Sequence, residues 1–479
     1  MRKSLIFLFW AAVFVLCIKV VIDTDFGWHL RIGEIIFNSK IIPKNDVFSF
    51  SLPNYPYVYH SWLGELLIYV SYKLGALWGV TLFFGGILFL SSIFIFRACK
   101  VFTKDVNPLL FLGSVLLFQA LVGGRMREFG LLFLSIEYFL FLKFRISKSR
   151  LIWLMPAVFA LWVNFHGSFV LGLAVYFLCI GLAFLFEGIA KKDLKLILTV
   201  GVLSIFATFV NPYGVGVWTQ ALTIFANSVF RLRAINSDWR SISEMGLYGI
   251  FLSLVVIGFL LSGFWAQKKR PEIVLNFIFL LLTVFIVRFA FALLVFFVPF
   301  TNFMVFKIKR LIDRKILSAF SIKFAVWASV FALILLGVVN VIETNQAYKD
   351  QKSYSDLINS KFEGKLGYSL WPYEAGERLT EGKRILADAN SANFLILQNP
   401  NLRFFYFGPM DNYFWKGQPF IFEYRKLLNL ENSWKETLNQ WQIETVILPA
   451  DFKLAKELSG DFNWKQEYAD GETIIFTRN

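Results

Sequence analysis

Cysteine and histidine are scarce in this chain. Its 479 residues hold three of each. Cys17, Cys99 and Cys179 all fall within or beside apolar runs, so neither a disulfide framework nor a close-spaced Cys/His zinc site can be read from them. Charged residues make up only 17%, and the sequence has no Gly-rich phosphate loop and no long repeat. What fills the chain instead is apolar: 57% hydrophobic and 19% aromatic residues, 57 of them Phe, with mean hydropathy +0.60. That composition excludes a soluble globule and implies a polytopic α-helical membrane protein.

The net charge of +15 would suggest nucleic acid on a soluble surface, but its distribution excludes that partner. The basic excess lies in residues 1–342, whereas 343–479 carry more acidic than basic groups. Basic charge therefore belongs to the membrane part, where it sets topology.

Apolar runs of about 20 residues cross a bilayer as helices, and about eleven are legible: 4–22, 77–96, 107–122, 129–144, 151–165, 168–188, 195–211, 246–266, 272–287, 289–306 and 319–340. The opening MRKSLIFLFWAAVFVLCIKVVI starts like a signal peptide. It lacks a small-x-small cleavage site before Asp23, so it reads as the first span. Alternate connections carry the basic clusters, among them Arg97, Lys100 and Lys104, then Lys191, Lys192 and Lys195, then Lys307, Lys309 and Arg310. The positive-inside rule then puts the amino terminus in the cytoplasm, with the first loop and everything after residue 342 outside. The expected location is the inner (plasma) membrane.

The expected domains are a transmembrane part, 1–342, whose first outer loop runs over 23–76, and a small extracytoplasmic α/β domain, 343–479. In that loop WHLRIGEIIFNS and WLGELLIYVSYKLG read as interfacial helices, joined by the turn-rich PKNDVFSFSLPNYP. In the C-terminal part, NFLILQN and LRFFYFG read as strands, EYRKLLNLENSWKETLNQW as a helix, and ETVILPA and ADGETIIFTRN as strands.

The first loop gathers Asp23, Asp25, His29, Asp46, His60 and Glu65 among Trp28, Tyr55, Tyr57, Tyr59 and Trp62. Carboxylates and imidazoles at a membrane face suit proton transfer, because an aromatic-walled site tunes a carboxylate as a general base. Three other uses stay open. Acidic residues can simply mark an outer helix end, His29 and His60 can hold the loop by hydrogen bonds, and the carboxylates with His29, His60 and His166 offer oxygen and nitrogen ligands to a divalent cation such as Mg or Mn. Arg125, Arg127, Arg231, Arg233, Arg240 and Arg288 lie in outer segments, against the inside trend. A guanidinium fork suits a lipid phosphate, the alternative being a carboxylate such as Glu128 or Glu244.

DTDFGWHLRIGEIIFNSKIIPKNDVFSFS with YHSWLGELLIYVSYKLG resembles the first outer loop of bacterial membrane proteins of the GT-C glycosyltransferase superfamily. WVNFHGSFVLGL, FVNPYG and RFFYFGPMDNYF resemble later landmarks of that group. Where many relatives have two tryptophans before the histidine, this chain has Gly27 and Trp28. The resemblance implies a GT-C-like enzyme that moves a sugar, hexose or pentose, from a polyprenyl-phosphate carrier to a glycan, lipid or protein on the outer face. It also implies an acidic base in the first outer loop, here Asp25 or Asp23, with Asp25 preferred because it adjoins Phe-Gly-Trp-His. His29, His60, Glu65, Arg125, Arg127, His166 and Arg288 are the accompanying substrate-binding candidates. The rival classes are a transporter or flippase of a lipid-linked substrate, which should show repeated halves and midplane polar residues, and a noncatalytic assembly protein.

Overall fold

The structure, a computed structural model, describes residues 3–121, 123–230, 241, 270–311, 335, 337–362 and 368–479. The expected span at 246–266 and most of that at 319–340 lie outside the described residues, as do Arg231, Arg233, Arg240 and Glu244. The chain forms two compact units, one of residues 1–19 and 81–341, the other of 20–80 and 342–479.

The first unit is helical. Expected spans coincide with helices Lys3–Cys17, Pro108–Leu121, Arg127–Ser147, Phe169–Glu187, Lys191–Ala207, Pro271–Phe285 and Ala290–Leu311, and the one at 151–165 with a 3₁₀ turn, Arg150–Leu154, running into helix Met155–Trp162. Among the described residues three helices are long and apolar enough to cross a membrane, Trp62–Phe102, Phe169–Glu187 and Val287–Lys307; Ile6–Cys17, Pro108–Phe118, Arg150–Trp162 and Pro271–Phe285 are apolar but shorter. The count of eleven is thus larger than the described helices support by length. Phe and Trp fill this unit's core: Phe129 packs on Phe165 with ring centres 4.5 Å apart, and Trp162 stacks between Phe133 and Phe159.

The second unit contains a five-stranded mixed sheet in the order β2-β1-β5-β7-β6. Its strands are β1 (Arg384–Ala387), β2 (Arg403–Phe404), β5 (Thr445–Pro449), β6 (Trp464–Ala469) and β7 (Thr473–Arg478), while β3 (Phe414–Trp415) and β4 (Gln418–Pro419) form a separate hairpin. β1 runs parallel to β2 and β5, and β7 is antiparallel to β5 and β6.

Two local expectations need correction here. NFLILQN is not a strand but most of helix Ala389–Gln398, because Asp388 caps it by accepting from the amides of Asn390 (3.1 Å) and Ser391 (3.2 Å). Ser391 through Leu397 are all buried, and a continuous apolar run does not distinguish a buried helix from a buried strand. EYRKLLNLENSWKETLNQW is two helices, Ile421–Asn429 and Trp434–Gln440, broken where Leu430 and Ser433 take φ of 57° and 73°.

Residues 23–76, which the sequence groups with the transmembrane part, pack within the second unit. The amide of Phe50 donates to Phe404 O (3.1 Å) and that of Phe404 to Phe48 O (3.0 Å), so residues 48–50 extend the sheet beyond β2 and cover its edge. Tyr55 stacks on Tyr413 at 4.3 Å, and its hydroxyl accepts from the Phe414 amide at 3.0 Å.

The two loop helices appear where the periodicity puts them. The first is Phe26–Ser39, which buries Phe26, Trp28, Leu30, Ile32 and Ile36, each contributing about 1.5–3 kcal/mol when fully buried. The second is the start of Trp62–Phe102, interrupted at Gly75 and Ala76 (φ 47°). Gly33 lets the two touch, since a Cβ there would meet Glu65 O at 2.0 Å.

Candidate functional site

Asp23 and Asp25 open the Phe26–Ser39 helix with different surroundings. Asp23 is buried, 3% exposed, and its Oδ1 accepts the Asp25 amide at 2.8 Å, an Asx turn that starts the helix. Asp25 is half-buried. Its Oδ1 accepts from Asn393 Nδ2 at 2.8 Å, and Asn393 Oδ1 in turn accepts the Gly408 amide at 3.0 Å. A Cβ at Gly408 would lie 2.8 Å from Asp25 Oδ1, so a side chain there would push the carboxylate aside. Thr24 donates to Asn390 Oδ1 at 3.1 Å, and Arg31 donates to the carbonyls of Ile396 (3.4 Å) and Leu397 (2.5 Å). The start of the first loop is therefore seated on helix Ala389–Gln398.

Gly27 explains the departure from the two-tryptophan pattern. Its Cβ would sit 2.0 Å from Asn393 O, so only glycine admits the Asn393 backbone against this face. Beyond Gly408 stands Tyr406, which donates to Asp411 Oδ1 and stacks on Tyr424 with ring centres 4.1 Å apart. Burial first, and then the Asp411 carboxylate, pushes the Tyr406 hydroxyl well above its ordinary pKa, with a smaller push from Asp25.

His29, Glu65 and His60 make a second cluster. His29 Nδ1 lies 2.9 Å from Glu65 Oε1, the Trp28 ring lies tilted by 33° against the imidazole with ring centres 3.6 Å apart, and Glu65 is 1% exposed. Burial, and after it the charge of His60, pushes His29 well below its ordinary pKa. Its contact with Glu65 is therefore a hydrogen bond of a neutral imidazole rather than an ion pair. An unfolded imidazole takes up its proton near pH 6.5, whereas the folded one stays neutral to lower pH. The His29 contribution to stability is therefore expected to fall as pH drops below about 6.5, by at most about 1.4 kcal/mol per pH unit. Thermal unfolding of wild type and His29→Gln between about pH 7.5 and about pH 5 isolates that slope. Equal slopes in the two proteins would remove His29 as its source.

The other expected residues belong to the helical unit. His166 Nδ1 accepts the Ser168 amide at 3.1 Å and lies 2.8 Å from Ser168 Oγ, which also accepts from Trp162 Nε1 at 3.0 Å. The NFHGS turn is tied to the NPYG turn by Asn164 Nδ2, which donates to Ala160 O and Val210 O, both at 2.8 Å. Arg125 and Arg127 are half-buried at the start of Arg127–Ser147. Glu128, the carboxylate weighed as their partner, has Oε1 engaged by the amides of Gly123, Gly124 and Arg125 at 3.1, 2.8 and 3.2 Å. Arg288 is half-buried in the 3₁₀ turn Val287–Phe289.

Among the described residues no group of three or more His, Cys, Asp or Glu side chains is placed to hold a metal ion. Asp23 Oδ1 is taken by an amide, Asp25 Oδ1 by Asn393 and Asp411 Oδ1 by Tyr406.

No family model and no curated protein matches the sequence. Solved structures do. The Archaeoglobus fulgidus oligosaccharyltransferase without ligand superimposes with TM-score 0.59 at 9% identity, covering 100% of this chain and 75% of that one. The chain has the fold of an archaeal oligosaccharyltransferase. That enzyme, AglB, in complex with an inhibitory peptide and a dolichol-phosphate gives TM-score 0.58 at 9% identity, covering 100% and 74%. A third structure of it, tethered to an acceptor peptide containing the NVT sequon, gives 0.57 at 10% identity with the same coverage. These neighbours are membrane glycosyltransferases of the GT-C superfamily, the group that the first loop resembles. The oligosaccharyltransferase fold and the apolar helices together make this a membrane protein.

Sequence reasoning did not single out Asn393, Gly408, Tyr406 or Asp411. RFFYFGPMDNYF held a signal for the last three as a landmark, whereas Asn393 is one polar residue in an apolar run and becomes visible only in three dimensions.

Proposed function

We infer that the chain is a membrane glycosyltransferase that moves a glycan from a lipid-linked donor to an acceptor on the outer face. The observation that carries this reading is the likeness to AglB over the whole chain, with Asp25 half-buried at the head of the loop helix and held by the C-terminal segment. AglB is known with a dolichol-phosphate and with an acceptor peptide. A polyprenyl-phosphate or polyprenyl-diphosphate donor and a peptide acceptor are accordingly the first pair to try, with glycans and lipids as further acceptors.

In the proposed reaction the Asp25 carboxylate takes the proton of the acceptor nucleophile as its bond to the anomeric carbon forms. The bond from that carbon to the carrier phosphate breaks, the electron pair leaving with the phosphate, and direct displacement inverts the anomeric centre. Asp23 keeps the turn in place. Charge on the departing phosphate needs donors that neutralise it, which guanidinium groups supply.

Incubating intact spheroplasts with radiolabelled polyprenyl-phosphate and polyprenyl-diphosphate hexoses and acceptor peptides, supplied outside, tests both reaction and orientation. Label that reaches no acceptor on wild-type cells yet is moved by inverted vesicles would reverse the orientation; label moved by neither would remove the reaction.

Arg125, Arg127 and Arg288 are assigned to the donor phosphate as a separate part of the proposal. Each Ala variant that removes a phosphate contact is expected to weaken donor binding about 10- to 100-fold, the weight of a hydrogen bond to a charged group. Titration of the purified variants with polyprenyl phosphate measures this. Wild-type affinity in all three variants would remove the assignment.

A further inference from the structure

We propose that Asn393 is a positioning residue for Asp25, setting the direction and the proton affinity of its carboxylate from the C-terminal segment. The proposal rests on the reading of Asp25 as base. Asn393 is 1% exposed, and both ends of its amide are engaged, Oδ1 with the Gly408 amide and Nδ2 with Asp25 Oδ1. Turning the amide over would set two donors against each other at Gly408 and two acceptors against each other at Asp25, so one orientation is enforced. The backbone around it is equally constrained. Gly27 meets Asn393 O, and Gly408 lies against Asn393 Nδ2, where an added Cβ would stand at 3.0 Å. The two engaged ends of the amide and the close backbone hold the donor beside the carboxylate.

A hydrogen bond to the ionised form favours that form. Holding one carboxylate oxygen also fixes where the other points, and a general base must be aimed at its proton. Titratable groups near Asp25 include Asp23 on its own turn, His29 one turn along the helix, and Tyr406 with Asp411 from the following segment, while Asp388 caps the helix that carries Asn393. The carboxylates of Asp23 and Asp411 would each raise the proton affinity of Asp25, and Asn393 opposes them.

Infrared difference titration of the full chain in lipid nanodiscs reads the proton on Asp25 directly once the Asp25→Asn spectrum is subtracted. Asn393→Ala should raise the Asp25 midpoint by about one pH unit, and Asn393→Asp, isosteric but repelling, by more. Transfer from the polyprenyl-phosphate hexose that wild type uses should fall about 10-fold in kcat with KM little changed. Asn390→Ala, which breaks the neighbouring bond to Thr24, controls for loosening of the same helix contact and should leave the midpoint in place. If Asn393→Ala does not fold, the isosteric Asn393→Asp carries the test. An unmoved midpoint in folded Asn393 variants overturns the proposal, as does a moved midpoint with wild-type kcat. An active Asp25→Asn would instead sink the base reading, whatever the infrared midpoints show.

Discussion

Asp25→Asn is expected to lower turnover by about 100- to 10,000-fold while donor affinity changes little, the usual weight of a general base. The substitution keeps size and polarity, and an amide oxygen at position 25 can still accept from Asn393 Nδ2, so the local structure survives while the proton acceptor is lost. Asp23→Asn is the internal comparison. Its Oδ1 can still take the Asp25 amide, so the helix start persists and transfer should stay near wild type. A purified assay that finds the larger loss at position 23 would exchange the two roles. Near-normal transfer in both variants would mean that this loop does not supply the base.

Gly27→Ala is expected to be among the most damaging single methyl additions in the second unit. Its Cβ would stand 2.0 Å from Asn393 O, and both partners are backbone, so no side-chain rotation relieves the overlap. Helices Phe26–Ser39 and Ala389–Gln398 have to separate, at a cost of about 3 kcal/mol, the upper end for overpacking, and the Asp25–Asn393 bond is lost with them. Gly33→Ala meets the same obstacle at Glu65 O, also at 2.0 Å. Gly86→Ala is the control, because nothing lies within 4 Å of a Cβ there and alanine favours helix over glycine by about 1 kcal/mol. Thermal unfolding should place the first two well below wild type and Gly86→Ala at or above it. A Gly27→Ala protein as stable as wild type would show that the two helices can part without cost.

Much of this protein is written in local pattern. Apolar runs located the helices of the first unit because a bilayer demands about 20 apolar residues, and the 3.6-residue period of WHLRIGEIIFNS was enough for Phe26–Ser39. Two acidic residues at the head of that helix could be singled out from sequence, but not separated, since spacing does not say which carboxylate is buried. Tertiary structure separated their surroundings, giving Asp23 to an amide two residues on and Asp25 to a side chain 368 positions away in the chain. The same limit hid the helix in NFLILQN, whose burial on every side erases periodicity, and the pairing of residues 48–50 with β2, which local pattern does not encode. The sequence by itself therefore determined which segments are apolar helices and which loop carries the carboxylates, because those depend on hydrophobicity and period alone. Only the tertiary structure decided that this loop is built into the C-terminal sheet unit, with Asn393 on Asp25, because contacts between distant segments follow from packing and hydrogen-bond satisfaction, which no window of sequence contains.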